Sequence, residues 1–184
     1  MNEMDRDRLA TWCAERRIIV SNPSLIHYQG GTECSYYTTR LPESYDGRVA
    51  ISRAVLAPVD SFQFAGAVVW LSSWGMGDDV VGPTLYEQLR LSYGLRSTLT
   101  GDSAISFDAS EANQCLTFLA LFAIVGWDAF FIPDGGEFFS FFSNDGFVDT
   151  VVRERSLETS LLNVFRPWET APIDPARNRY LPRN

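Results

Sequence analysis

The chain has 184 residues, a length that fits one domain with or without a tail. Hydrophobic residues make up 46% of it and aromatics 14%, which rules out a disordered body. A net charge of −8 argues against a direct hold on phosphate backbones or anionic membranes, and the fifteen basic residues are all arginine, which excludes Schiff-base chemistry and every lysine-dependent phosphate motif.

The first eight residues are charged and lack the apolar core of a signal peptide, so a cytoplasmic location is expected. Asn2 to Arg17 reads as an amphipathic helix packing on Leu9 and Trp12. Ile18-Ile19-Val20 is a β-branched run stopped by Ser21-Asn22-Pro23, and Leu25 to Gln29 resumes a strand. Cys34 to Arg40 and Arg48 to Leu56 alternate as a hairpin about the turn-bearing Leu41 to Gly47. Phe62 to Leu71 is an apolar strand that runs into a glycine-rich loop, Ser72 to Asp79. Pro83 suits a first helical turn, with Leu85, Tyr86, Leu89 and Tyr93 at helical spacing until Gly94 ends the run. Ser103 to Asp108 is a further strand.

The chain is organised around Ser110 to Val152, which carries most of the thirteen phenylalanines. Ser110 is a natural N-cap with Glu111 in the first turn. From Cys115 to Val125 the helix is apolar all round, which predicts burial on every side. It ends at Trp127-Asp128, short of the roughly 20 residues that a membrane span needs. Strands follow over Ala129 to Ile132, Glu137 to Ser143 and Phe147 to Val152, joined by the turns Pro133 to Gly136 and Asn144 to Gly146, to give an antiparallel meander. The two-residue period puts Phe139 and Phe141 on one face and Phe138 and Phe142 on the other. Both faces need cover, one from the Ser110 helix and the other from another helix, a tail or a partner protein. Ser156 to Phe165 is a last helix, with Leu157, Leu161, Leu162 and Phe165 inward and Glu158 placed for capping. The reading is an α+β domain over residues 1–165, its mostly antiparallel sheet packed on a central apolar helix with peripheral helices, and a Pro/Arg-rich tail over residues 166–184.

Cys13, Cys34 and Cys115 are widely spaced, with no C-x-x-C, and are expected to be reduced thiols. His27 is the only histidine, and no nucleophile-elbow sequence accompanies it. Gly75-Met76-Gly77 with Gly82 matches neither G-x-G-x-x-G nor the P-loop, and Asp78 and Asp79 would repel phosphate. An all-carboxylate metal site would have to draw on Asp78, Asp79, Asp128 or Asp145, but Asn144-Asp145-Gly146 lacks the ligand repeat of an EF-hand and reads as a turn. Asp128 follows a buried helix and so needs a backbone or arginine partner.

The span Val68 to Val152, with Trp74-Gly75, Leu89 to Gly94, Gly126-Trp127-Asp128-Ala129 and Ser143-Asn144-Asp145-Gly146, resembles a pattern in small uncharacterised bacterial proteins. There the last hairpin usually reads Ser-His-Asp-Glu; Asn144 and Gly146 depart from it. The resemblance covers under half the chain and implies no activity.

Residues 1–17 balance at zero charge and residues 166–184 carry +2 (four arginines against Glu169 and Asp174), which leaves −10 on residues 18–165. The functional expectation is a non-catalytic protein-binding protein, immunity-like or an adaptor, that neutralises a basic protein partner through Trp74, Asp78, Asp79 and Asp145. No catalytic residue, cofactor, metal, nucleic acid or membrane enters this reading, and the oligomeric state is open. The alternative is an enzyme or small-molecule binder that uses carboxylates and arginines near the Gly75–Gly82 loop.

Overall fold

The apolar runs of the chain assemble into one sheet that is buried on both faces. The computed structural model describes residues 1–22, 25–30, 33–60, 64–73, 81–95 and 104–174. Among them, eight strands form a sheet in the order β1 (Asn2–Met4), β6 (Ala104–Asp108), β5 (Gly66–Ser73), β7 (Asp128–Pro133), β8 (Phe138–Ser143), β9 (Phe147–Val152), β4 (Ser35–Arg40) and β10 (Thr170–Pro172). Every pairing in it is antiparallel. Two more strands, β2 (Ile18–Asn22) and β3 (Leu25–Tyr28), make a separate hairpin. Five helices complete the fold: α1 (Arg6–Glu15), α2 (Tyr45–Asp60), α3 (Val81–Ser92), α4 (Ala112–Val125) and α5 (Arg155–Phe165). The α+β class and the antiparallel meander β7–β8–β9 agree with the sequence, and no described helix is long and apolar enough to cross a membrane.

Alternation divides the aromatics between two cores. Phe131, Phe138 and Phe142 face the layer of α4, with Phe118, Phe122, Trp127 and Tyr86. Trp70, Phe130, Phe139 and Phe141 face the opposite way, against Leu9 and Cys13 of α1 and Ile18, Ile26 and Tyr28 of the hairpin. The second face is therefore closed by the chain's own amino-terminal elements, α1 and the β2–β3 hairpin. A polar latch holds that cover at the β7–β8 turn. Arg16 stacks on Trp12 at 3.6 Å and donates to the carbonyl of Asp134 at 2.6 Å, Tyr28 donates to the carbonyl of Gly136 at 2.9 Å, and Arg153 donates to the carbonyl of Arg16 at 3.0 Å.

Several elements differ from the sequence expectation. Arg48 to Leu56 is no strand; it lies inside α2. Its alternation hid a three-to-four spacing, with Ile51, Val55 and Pro58 all buried, and the helix packs against α4. Arg48 then donates to the carbonyls of Ala123 at 2.7 Å and Ile124 at 3.2 Å, at the end of α4 where carbonyls lack helical partners. Asn2–Met4 is an edge strand, and α1 starts only after Asp5, whose side chain accepts from the Arg8 amide at 2.9 Å. Ser110 does not cap α4: its hydroxyl donates to Asp108 at 2.7 Å, and Glu111 holds the cap position. Nor is α4 buried on all sides, since Asn113 and Thr117 are exposed and Leu116, Leu121 and Ile124 are half-buried. Glu158 accepts from the Tyr37 hydroxyl rather than capping α5, and Leu162 is exposed. Within residues 166–184, read from sequence as a Pro/Arg-rich tail, Thr170–Pro172 pairs with β4 as an edge strand. Pro172 and the three-residue length make that edge a poor template for further strands.

Candidate functional site

Of the residues singled out for partner binding, Trp74, Asp78 and Asp79 lie outside the described residues, and Asp145 is exposed at the tip of the β8–β9 turn. The described residues on either side of positions 74–80 are well anchored. Ser73 ends β5 paired with Asp128 at the start of β7. The Asp128 carboxylate accepts from the Asn144 amide at 2.8 Å, so the buried-helix carboxylate is satisfied by the turn that carries Asp145. Ser72 donates to the Asp128 carbonyl at 3.2 Å. On the other flank, α3 anchors through Tyr86, whose ring stands edge-on to Trp127 at 5.9 Å and 80°. Both described neighbours of the segment are thus tied to the Trp127-Asp128 corner, at the sheet end that also bears Asp145.

The turn itself is built from short polar residues. The Asp145 amide donates to the Ser143 hydroxyl at 3.1 Å, and Gly146 adopts φ +85°, a conformation open to glycine. The Gly146 carbonyl accepts from Leu41 at 2.9 Å, which links the turn to the end of β4. Register then brings in residues that linear sequence gave no reason to group. Arg40 sits opposite Phe147 across β4 and β9, and its amide donates to the Glu169 carbonyl at 3.2 Å. Thr38, Arg40, Asp145, Gly146, Phe147, Glu169, Thr170 and Ala171 surround a groove of about 570 Å³.

Burial pushes the Cys13 thiol up to about 12, with Arg16 opposing it, and pushes the Cys115 thiol up further. Cys34 is half-buried and also raised, by burial first. His27 is held below the ordinary imidazole value by burial. Among the described residues no group of three or more His, Cys, Asp or Glu could hold a metal ion. A second groove of about 370 Å³, lined by Pro58, Pro133, Asp134, Glu137, Phe138 and Leu157 among others, opens at the opposite end of the sheet. Its Asp134 is already paired with Arg16. The chain matches no protein-family model, no curated protein and no solved structure.

Proposed function

We propose that the chain is a non-catalytic recognition protein that captures a basic protein partner at the sheet end carrying Asp145, with Trp74, Asp78 and Asp79 as further candidate contacts. The observation that supports this most is the bond from the Asn144 amide to Asp128, which ties the Asp145 turn to the corner where the described chain stops at Ser73, one residue before Trp74. The net charge of −8 supplies long-range attraction for a cationic protein. Rim charges of this kind set the rate of encounter, and an aromatic such as Trp74 supplies short-range hold.

The test is affinity capture from the source cell with the full chain as bait, run beside the charge-reversed variants Asp145→Arg and Asp78→Arg/Asp79→Arg. The proposal expects a protein of basic isoelectric point that is retained by the parent chain and lost with either variant. An acidic partner, or one retained equally by all three baits, would refute it.

A further inference from the structure

Resting on the reading of Asp145 as a contact, we infer that the groove beside it is a receptor for an arginine side chain of the basic partner. Three features of the groove fit that occupant. Side chains of paired residues share a face, so Arg40 and Phe147 project together, and Thr38 and Ala171 form the next row on the same face. Phe147 is half-buried, packed at the margin of the second core, and lines the groove. Asp145 and Glu169, both exposed, stand at its rim.

The lining residues carry one positive charge, Arg40, against two negative, Asp145 and Glu169, a formal balance of one negative. The groove of about 570 Å³ is roomy for one long side chain. A planar guanidinium can lie against an aromatic ring while its N–H fork meets carboxylate oxygens in the same plane, and a compact ammonium cannot do both. An acidic side chain could pair only with Arg40 and would face Asp145 and Glu169 unfavourably. α1 and the β2–β3 hairpin close this same sheet face over Phe130, Phe139 and Phe141; Phe147 packs against the margin of that core and, with Arg40 and Thr38, lines the groove.

The probe is a short blocked peptide, acetyl-Gly-Arg-Gly-amide, titrated into the uniformly ¹⁵N-labelled full chain and followed by amide chemical shifts. A matched Gly-Glu-Gly peptide is the control. Saturable shifts centred on Gly146, Phe147 and Ala171 are expected with the arginine peptide alone. Asp145→Asn and Glu169→Gln should each weaken it by about threefold, in line with exposed charge pairs. Both substitutions are of exposed side chains, and an unchanged spectrum away from the groove confirms that the variants fold. Shifts confined to the Ser73, Asp128 and Asn144 corner would overturn the groove and leave the acidic-end proposal standing. No saturable shift anywhere would count against both. Preferential binding of the glutamate peptide would overturn the arginine assignment.

Discussion

Replacing Phe139 with alanine tests whether the second sheet face is a true core. The ring is fully buried, with its centroid 5.4 Å from Tyr28 of the hairpin and 6.4 Å from Phe130 on the neighbouring strand. Losing a buried phenylalanine ring costs about 3–5 kcal/mol in transfer and cavity terms together. The two aromatic contacts keep Phe139→Ala off the lower end of that range, at about 4 kcal/mol. For a chain of this length that corresponds to a fall in Tm of roughly 8–16 °C. Urea denaturation followed by tryptophan fluorescence gives the midpoint and the slope, and an unchanged slope shows that the loss belongs to the native state. Phe147→Ala, at the open margin of the same face, should cost well under half as much. A loss below about 1 kcal/mol for Phe139→Ala would mean that the amino-terminal cover contributes little, and the two-core description would fall.

Three further outcomes follow from single positions. Gly126 ends α4 at φ +74° with open space around it, so Gly126→Ala should cost about 1–2 kcal/mol through backbone strain rather than overpacking, and a loss above about 3 kcal/mol in urea would contradict this. The buried hydroxyls of Ser140 and Thr150 bond each other at 2.9 Å; Ser140→Ala should cost about 1–3 kcal/mol by stranding Thr150, and adding Thr150→Val should recover part of it in a double-mutant cycle. Burial lowers the pKa of His27, so the unfolded chain binds the extra proton first: this contribution is fully present above about pH 6.5 and is lost as pH falls through and below that value. His27→Gln should flatten the stability profile just below about pH 6.5, and an unchanged slope would show that His27 is not its source.

The meander was legible because three signals agreed there. The period of two in Phe138 to Phe142 set the faces, Pro133 to Gly136 and Asn144 to Gly146 supplied turn residues, and the apolar run before them ended at Trp127-Asp128. Arg48 to Leu56 was misleading because a short run can satisfy both periods, and the choice was made by α4, distant in sequence. Asn2–Met4 and Thr170–Pro172 carry almost no apolar pattern; they are strands because each finds an edge, on β6 and on β4. The cover of the second face could be narrowed to a helix, a tail or a partner, and the choice among these needed the latch from Arg16 to Asp134, which are far apart along the chain. At the candidate site, Asp145 stood out as a turn carboxylate. Its association with Arg40, Phe147 and Glu169 arises from strand register, which composition does not encode.

The measurement that bears most directly on the acidic-end account is the association rate of the captured partner as a function of ionic strength, taken by stopped-flow or surface binding with the full chain. Screening acts on exposed charges over about 8–10 Å at physiological salt, so steering is lost as salt rises. The account predicts an on-rate that falls steeply between about 20 and 500 mM salt while the off-rate changes little, with Asp145→Arg lowering the low-salt on-rate toward the high-salt value. An on-rate indifferent to salt, or one that Asp145→Arg leaves unchanged at low salt, would contradict it.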